Sequence, residues 1–161
     1  MNIRADTNIK NIRAIELTDL PALKTVIDAN QLFPSTMLDE MTSDYFNHKN
    51  SDDYWFTYDD DKPVAIGYCA PEKMTEGTWN LYLIAVHPDY QGLGYGTSML
   101  NYIEQKLAKR GARLLLVETS GLETFEGTRK FYQKCGYEKE AQIREFYQAG
   151  EDKIIFRKLL Q

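Results

Sequence analysis

Apolar residues recur along this chain in two rhythms, one near every second position and one near every third or fourth. Asn11 to Glu16 (NIRAIE) alternates as a first strand. Thr18-Asp19 ahead of Pro21 reads as a helix start. Leu20, Leu23, Ile27 and Leu32 then follow helical spacing. Phe33-Pro34-Ser35 breaks the chain, and Met37 to Phe46 predicts a second, shorter helix. Tyr54 to Tyr58 (YWFTY) is β-prone, Asp59 to Pro63 reads as a hairpin turn, and Val64 to Ala70 returns as a strand. A polar connection, Glu72 to Thr78, leads into a fourth strand, Trp79 to Val86. Met99, Leu100, Ile103 and Leu107 mark the buried stripe of a helix from about Thr97 to Lys109, ended by Gly111. Arg113 to Glu118 (RLLLVE) is nearly all apolar, as in a central strand covered on both faces. A helix over Glu126 to Lys134 stops at Gly136. Tyr137 to Tyr147 and Asp152 to Leu159 finish as two strands around an Ala149 to Asp152 turn.

Composition narrows the classes. At 161 residues, 43% of them hydrophobic, the chain is expected to form one α/β (α+β) domain over 1–161, with the polar residues 1–8 frayed. No apolar run approaches a membrane span and the N-terminus lacks a signal-peptide core, so no membrane partner and a cytoplasmic location are expected. Two cysteines, Cys69 and Cys135, make neither a disulfide framework nor a metal-binding spacing. A net charge of −5 argues against a nucleic-acid partner and suits a cationic acceptor such as an amine.

The chemistry concentrates in LYLIAVHPDYQGLGYGTSMLNYIEQKL, Leu81 to Leu107. An apolar strand runs into a turn at Pro88, then Gln91-Gly92-Leu93-Gly94-Tyr95-Gly96, then an amphipathic helix. Glycines let consecutive N–H groups converge, and a helix N-terminus adds partial positive charge, so the segment suits phosphate oxygens. It is not a Walker loop, because no Gly-Lys-Ser/Thr follows. It departs from the dinucleotide fingerprint, because Thr97 stands where the third glycine belongs.

The spacing Gln91-x-x-Gly94-x-Gly96 after Val86-His87-Pro88 resembles the pyrophosphate loop of the GNAT N-acetyltransferase superfamily. Phe131-Tyr132-Gln133-Lys134-Cys135-Gly136-Tyr137 resembles that family's FYxKxGF segment. The resemblance implies the GNAT fold, a mixed, mostly antiparallel sheet of about seven strands with helices on both faces. It implies an enzyme that moves an acetyl group from acetyl-CoA, as co-substrate, directly to a primary amine of a small molecule or peptide. It implies that the backbone of Ile84, Ala85 and Val86 pairs with the pantetheine arm. It further implies that Gln91 opens the loop and that N–H groups of Gly92, Leu93, Gly94, Tyr95, Gly96 and Thr97 hold the pyrophosphate. Many relatives carry Arg at one or two of these loop positions, whereas here Leu93 and Tyr95 occupy the variable slots, so moderate CoA affinity is expected. Relatives also carry Asn where this chain has Phe125; Thr128 could supply a hydroxyl instead. Tyr132 takes the place of the acid that protonates the leaving thiolate, since a phenol stays protonated at neutral pH. Glu118, ending an apolar strand, is the candidate base for the acceptor ammonium, with a strand-edge ion pair as its alternative role. No metal is expected. His87 reads as a turn residue and His48 as a residue without a partner; Phe33, Tyr45 and Trp79 could line an acceptor pocket. The last strands could pair two copies as a homodimer. Two other readings compete: a nucleotide oxidoreductase half-domain, and a catalytically weak acyl-CoA-binding regulatory module.

Overall fold

The computed structural model describes residues 9–48 and 50–161; the expected fraying of 1–8 lies outside the described residues. The chain divides into two compact units. One holds the residues up to Ala70 with Leu83–Ile103; the other holds Pro71–Tyr82 with Glu104–Gln161.

The first unit contains β1 (Ile12–Ala14), α1 (Leu20–Asn30), two short helices α2 (Leu38–Met41) and α3 (Ser43–Asn47), and the hairpin β2 (Tyr54–Asp59) and β3 (Pro63–Pro71). It also contains the end of β4 (Thr78–Val86) and the start of α4 (Tyr95–Lys109). β1 is shorter than its alternation predicts. The Glu16 N–H turns to Asp19 Oδ2 at 2.7 Å, and the chain leaves the strand through a 3-10 turn at Leu17–Asp19. Asp19 therefore spends its carboxylate on Glu16 and on Arg13, not on capping α1. α1 stops at Asn30 because Gln31 turns left-handed (φ 52°). Leu32, expected on the apolar stripe, is left 40% exposed. The second predicted helix breaks at Thr42, whose hydroxyl donates to the Leu38 carbonyl at 2.8 Å and competes with the helical ladder.

Successive side chains of β2 point to opposite faces. Trp55 packs with Leu23, Val26 and Ile27 of α1, Leu38 of α2 and Ile66 of β3. Phe56 and Tyr58 turn the other way and meet Tyr102 and Tyr95 of α4, with ring centres 5.8 and 3.9 Å apart. Helices thus cover both faces of this part of the sheet. Gly67, opposite Phe56 in β3, has no room for a side chain: a Cβ there would lie 2.3 Å from Phe56 Cζ.

The second unit contains the start of β4, then β5 (Leu114–Ser120), α5 (Glu126–Lys134), β6 (Glu138–Gln148) and β7 (Glu151–Leu159). The helix α5 has the predicted limits, and β5 continues two residues beyond Glu118. β4 pairs with β5 in parallel, from Thr78↔Leu114 to Leu81↔Val117. β7 pairs antiparallel with both β5 and β6. The strand order of the seven-stranded mixed sheet is β1-β2-β3-β4-β5-β7-β6. Among the described residues, no helix is long and apolar enough to cross a membrane, and no group of His, Cys, Asp or Glu is arranged to hold a metal ion.

Candidate active site

Between β4 and α4 the chain makes a single 3-10 turn, Pro88–Tyr90, then an extended Gln91. Gly92 and Gly94 follow with φ of 78° and 85°. Side-chain-bearing residues seldom occupy that region, and the open space around both glycines shows that conformation, not crowding, demands them. Ser98 donates the first helical bond of α4, to the Gly94 carbonyl at 3.0 Å. Helix geometry therefore leaves the N–H groups of Tyr95, Gly96 and Thr97 without an intrahelical acceptor, at the positive end of a helix of 15 residues. Gln91 to Gly94 and Thr97 are exposed. The loop fits an anionic diphosphate by its own donors.

Two side chains brace this loop from behind. Gln91 Nε2 donates to the Val86 carbonyl at 2.9 Å, and Asn30 Nδ2, from the last residue of α1, donates to the same oxygen at 3.1 Å. The Val86 carbonyl is thereby occupied, so of the strand segment expected to pair with a pantetheine arm, its contribution falls to the N–H. Asn30 was not singled out in the sequence; an amide side chain closing the amphipathic helix was the only signal. Tyr95 is anchored through its side chain. It stacks on Tyr58 and donates to Asp60 Oδ2 at 2.9 Å, a hydrogen bond that, with some burial, pushes its hydroxyl up to about 12. Leu93 is 57% exposed and carries no charge. His87 behaves as the expected turn residue, its Nδ1 accepting the Asp89 N–H at 3.1 Å. His48, expected to be unpartnered, pairs with Asp44 at 3.3 Å. A cavity of about 680 Å³ opens beside this turn, lined by Thr25, Lys62, His87 and Tyr90 among others, but by none of Gly92 to Thr97.

In the second unit, Tyr132 sits on the inner face of α5, 4% exposed among Phe131, Tyr137 and Phe156. Burial, with a smaller contribution from Cys135, pushes its hydroxyl well above the usual phenol value. The group is a neutral donor at any physiological pH, and it makes no hydrogen bond among the described residues. Tyr137, next along this cluster, is already committed to Glu104 at 2.8 Å. Phe125 and Thr128 are both exposed, Thr128 on the outer side of α5. Arg129 ties the preceding loop down, donating to the Ser120 and Leu122 carbonyls at 2.8 Å each.

Glu118 is not a lone carboxylate. Its Oε2 pairs with Lys153 of β7 at 3.0 Å and its Oε1 accepts from Asn80 of β4 at 2.9 Å. The ion pair considered as its alternative role is present. Lys153, only 11% exposed, also lies 4.0 Å over the Phe146 ring. Of the aromatic residues suggested for an acceptor wall, Phe33 and Tyr45 pack against the α1 core.

The comparisons with known proteins decide the family. Residues 10–137 match the model of the Acetyltransferase (GNAT) family. This chain belongs to the GNAT family. The ribosomal protein bS18-alanine N-acetyltransferase of Escherichia coli K12 is 27% identical over 153 residues, covering 91% of this chain and 95% of that protein. A GNAT-family crystal structure from Desulfovibrio desulfuricans superposes with a TM-score of 0.86 at 30% identity, over 93% of this chain and 98% of the other. An aminoglycoside 6′-N-acetyltransferase solved with coenzyme A shares the fold, with a TM-score of 0.73 at 19% identity, over 93% and 97% of the two chains. The chain is accordingly an acetyl-CoA-dependent N-acetyltransferase acting on an amine acceptor. The oxidoreductase reading is set aside by the same match.

Proposed function

We propose that this GNAT enzyme acetylates the free α-amine of a protein or peptide N-terminus, with Tyr132 as acid and Glu118 as proton acceptor. The observation carrying the catalytic part is Tyr132 itself, 4% exposed on α5, with a hydroxyl that stays a protonated donor at physiological pH and makes no hydrogen bond among the described residues. The choice of acceptor rests on the near full-length likeness to a ribosomal-protein alanine N-acetyltransferase.

The roles follow from the groups. Gly92 to Thr97 bind the diphosphate through main-chain N–H groups, braced by Gln91 and Asn30. Ile84, Ala85 and the Val86 N–H align the acyl arm as an added strand would, and the Val86 N–H faces the developing oxyanion. Glu118 takes one proton from the acceptor ammonium, directly or through a water. The nitrogen lone pair forms the C–N bond to the thioester carbon, and the C–S bond breaks as the carbonyl re-forms. Tyr132 donates its hydrogen bond to the departing sulfur. The second proton lost by nitrogen balances the one the thiol acquires. Holding amine and thioester together supplies much of the acceleration.

We propose a cytoplasmic location, in which Cys69, buried, and Cys135, partly so, stay as thiols and not as a disulfide. A homodimer would form along the outer edge of β6, the last strand of the sheet, where Ile143, Phe146 and Tyr147 are exposed; light scattering tests it.

The enzyme assay follows thiol release from acetyl-CoA with a peptide bearing an N-terminal alanine. Tyr132→Phe is expected to lower kcat by about a hundredfold or more while leaving the acetyl-CoA KM within twofold, the usual weight of a positioned acid. An unchanged kcat refutes the role of Tyr132. A wild-type protein that binds CoA but acetylates no amine supports the weak regulatory module instead.

A further inference from the structure

Strand β7 buries a primary amine. Lys153 is a buried residue, although lysine seldom leaves water without a partner. Side chains alternate along the strand, so Lys153 stands on the face opposite the one where Phe156 meets Tyr132. Glu118 pairs in register with Ile155 and therefore shares that face with Lys153. There Lys153 Nζ lies 3.0 Å from Glu118 Oε2, while the other carboxylate oxygen is held by Asn80 at 2.9 Å. Pairing of β5 with β4 ends at Val117, so Glu118 begins the stretch of β5 whose β4 side has no ladder.

The β6–β7 hairpin closes over this amine. Register steps from Ile143↔Lys153 to Gln148↔Glu151, so residues 144–147 bulge out opposite Asp152 alone. The bulge is held in place. Glu145 adopts φ 54°, its N–H donates to Asp152 Oδ1 at 2.9 Å, and its Oε1 accepts the Gly150 N–H at 3.2 Å. Bulges re-aim side chains, and this one carries the Phe146 ring to 4.0 Å from Lys153 Nζ. The neighbouring Tyr147 senses Glu118 too: burial raises its hydroxyl above the usual phenol value, and the Glu118 charge adds to the effect.

A carboxylate and an aromatic face are the groups that hold a primary ammonium, and here the chain itself supplies the ammonium. The reading above puts the acceptor nitrogen within hydrogen-bond reach of Glu118. Lys153 Nζ already has that reach, belongs to the same chemical class, and rides on a flexible four-carbon stem. It need not diffuse in, so its effective concentration exceeds that of any free amine. We propose that Lys153 is an internal acceptor, acetylated by acetyl-CoA bound to its own chain. Glu118 takes one proton from the Lys153 ammonium. The nitrogen lone pair forms the C–N bond to the thioester carbon, and the C–S bond breaks. The second proton lost by nitrogen balances the one the CoA thiol acquires. The resulting acetamide is neutral and no longer forms the ion pair with Glu118. This inference rests on the amine-acetylating reading above and adds to it an acceptor within the chain.

The test incubates the full chain with isotope-labelled acetyl-CoA and no other acceptor, then maps the label by peptide mass spectrometry. Lys153 is expected to gain label at least about tenfold faster than Lys10 and Lys62, two exposed lysines that report chemical acetylation in solution. The rate per molecule is expected to stay constant when the protein is diluted at fixed acetyl-CoA, as transfer within one chain requires. Glu118→Gln keeps an oxygen for Asn80 and removes the proton acceptor; it is expected to bring Lys153 down to the rate of the exposed lysines. Labelling of Lys153 no faster than of Lys10 and Lys62 in the wild type overturns the internal acceptor without recourse to a variant. So does a rate that falls on dilution, or one that Glu118→Gln leaves unchanged. In each case, acetylation of an N-terminal alanine hexapeptide by the same preparation keeps the acetyltransferase reading. A wild-type protein that binds acetyl-CoA and labels neither Lys153 nor the hexapeptide overturns that reading, and the internal acceptor with it.

Discussion

Replacing Gly94 by alanine separates the backbone conformation of the proposed phosphate loop from every other property of the site. A methyl group on Gly94 would meet nothing within 4 Å, so no clash arises. The whole cost lies in φ, which is 85° in the structure. An L-residue pays about 1–2 kcal/mol to hold a left-handed conformation. If the loop relaxes to avoid that cost, the N–H groups of Tyr95 to Thr97 no longer converge, and binding must restore them. The same 1–2 kcal/mol then appears as an acetyl-CoA Kd raised about 5- to 30-fold. Gly127 supplies the control, because it also has open space around it but lies within α5 with no positive φ. Gly127→Ala is expected to leave the Kd unchanged and to stabilise the fold by up to about 1 kcal/mol, since alanine favours the helix. Isothermal titration calorimetry of wild type and both variants measures the effect. A Gly94→Ala Kd within twofold of wild type refutes the reasoning, because the loop would then bind without its left-handed residue.

Other outcomes follow from the packing and the ion pairs. Gly67→Ala drives a methyl to 2.3 Å from the ring of Phe56, a fully buried residue; a loss of about 1–3 kcal/mol in urea unfolding is expected, and an unchanged midpoint would show that the ring moves freely. Arg13 holds the Asp19 carboxyl below its usual range, chiefly through the hydrogen bonds at 2.7 and 3.0 Å. A lowered folded value stabilises the fold fully above the unfolded pKa of about 4 and loses that stability as pH falls through the folded value. Asp19→Asn is therefore expected to be less stable at pH 7 and to show a flatter fall in Tm below pH 4. Parallel curves for the two proteins contradict this. Because the loop adds no cationic side chain at Leu93 or Tyr95, acetyl-CoA binding is expected in the micromolar range; a calorimetric Kd well below that range rules it out.

Much of the candidate site could be proposed before any coordinates. Gln91, Gly92 and Gly94 announced the loop because a left-handed backbone narrows the choice of residue almost to one. Tyr132 was legible because the residues around it, Phe131 and Lys134-Cys135-Gly136-Tyr137, keep a recognisable spacing on a short helix. Glu118 was visible, but its surroundings were not. Lys153 and Asn80 lie 35 and 38 positions away in sequence, and neither spacing says that strand pairing brings them to one carboxylate. The start of α4 was read two residues late because Gly96 resembles loop more than helix. The second helix was read as continuous because no local signal shows a threonine hydroxyl turning back on Leu38.

Local chemistry in the chain was enough to determine most of the elements, the buried stripe of Met99, Leu100, Ile103 and Leu107, and the glycine turn before α4, since each depends on neighbours within a few positions. Tertiary structure alone decided that Asn30 reaches the Val86 carbonyl, that Tyr95 is anchored on Tyr58 and Asp60, and that Glu72, Asn80, Glu118 and Lys153 gather into one charged cluster. The physical reason is range. Backbone preferences act over one turn or one strand, whereas hydrogen bonds and charges act across whatever strand register and helix packing place side by side.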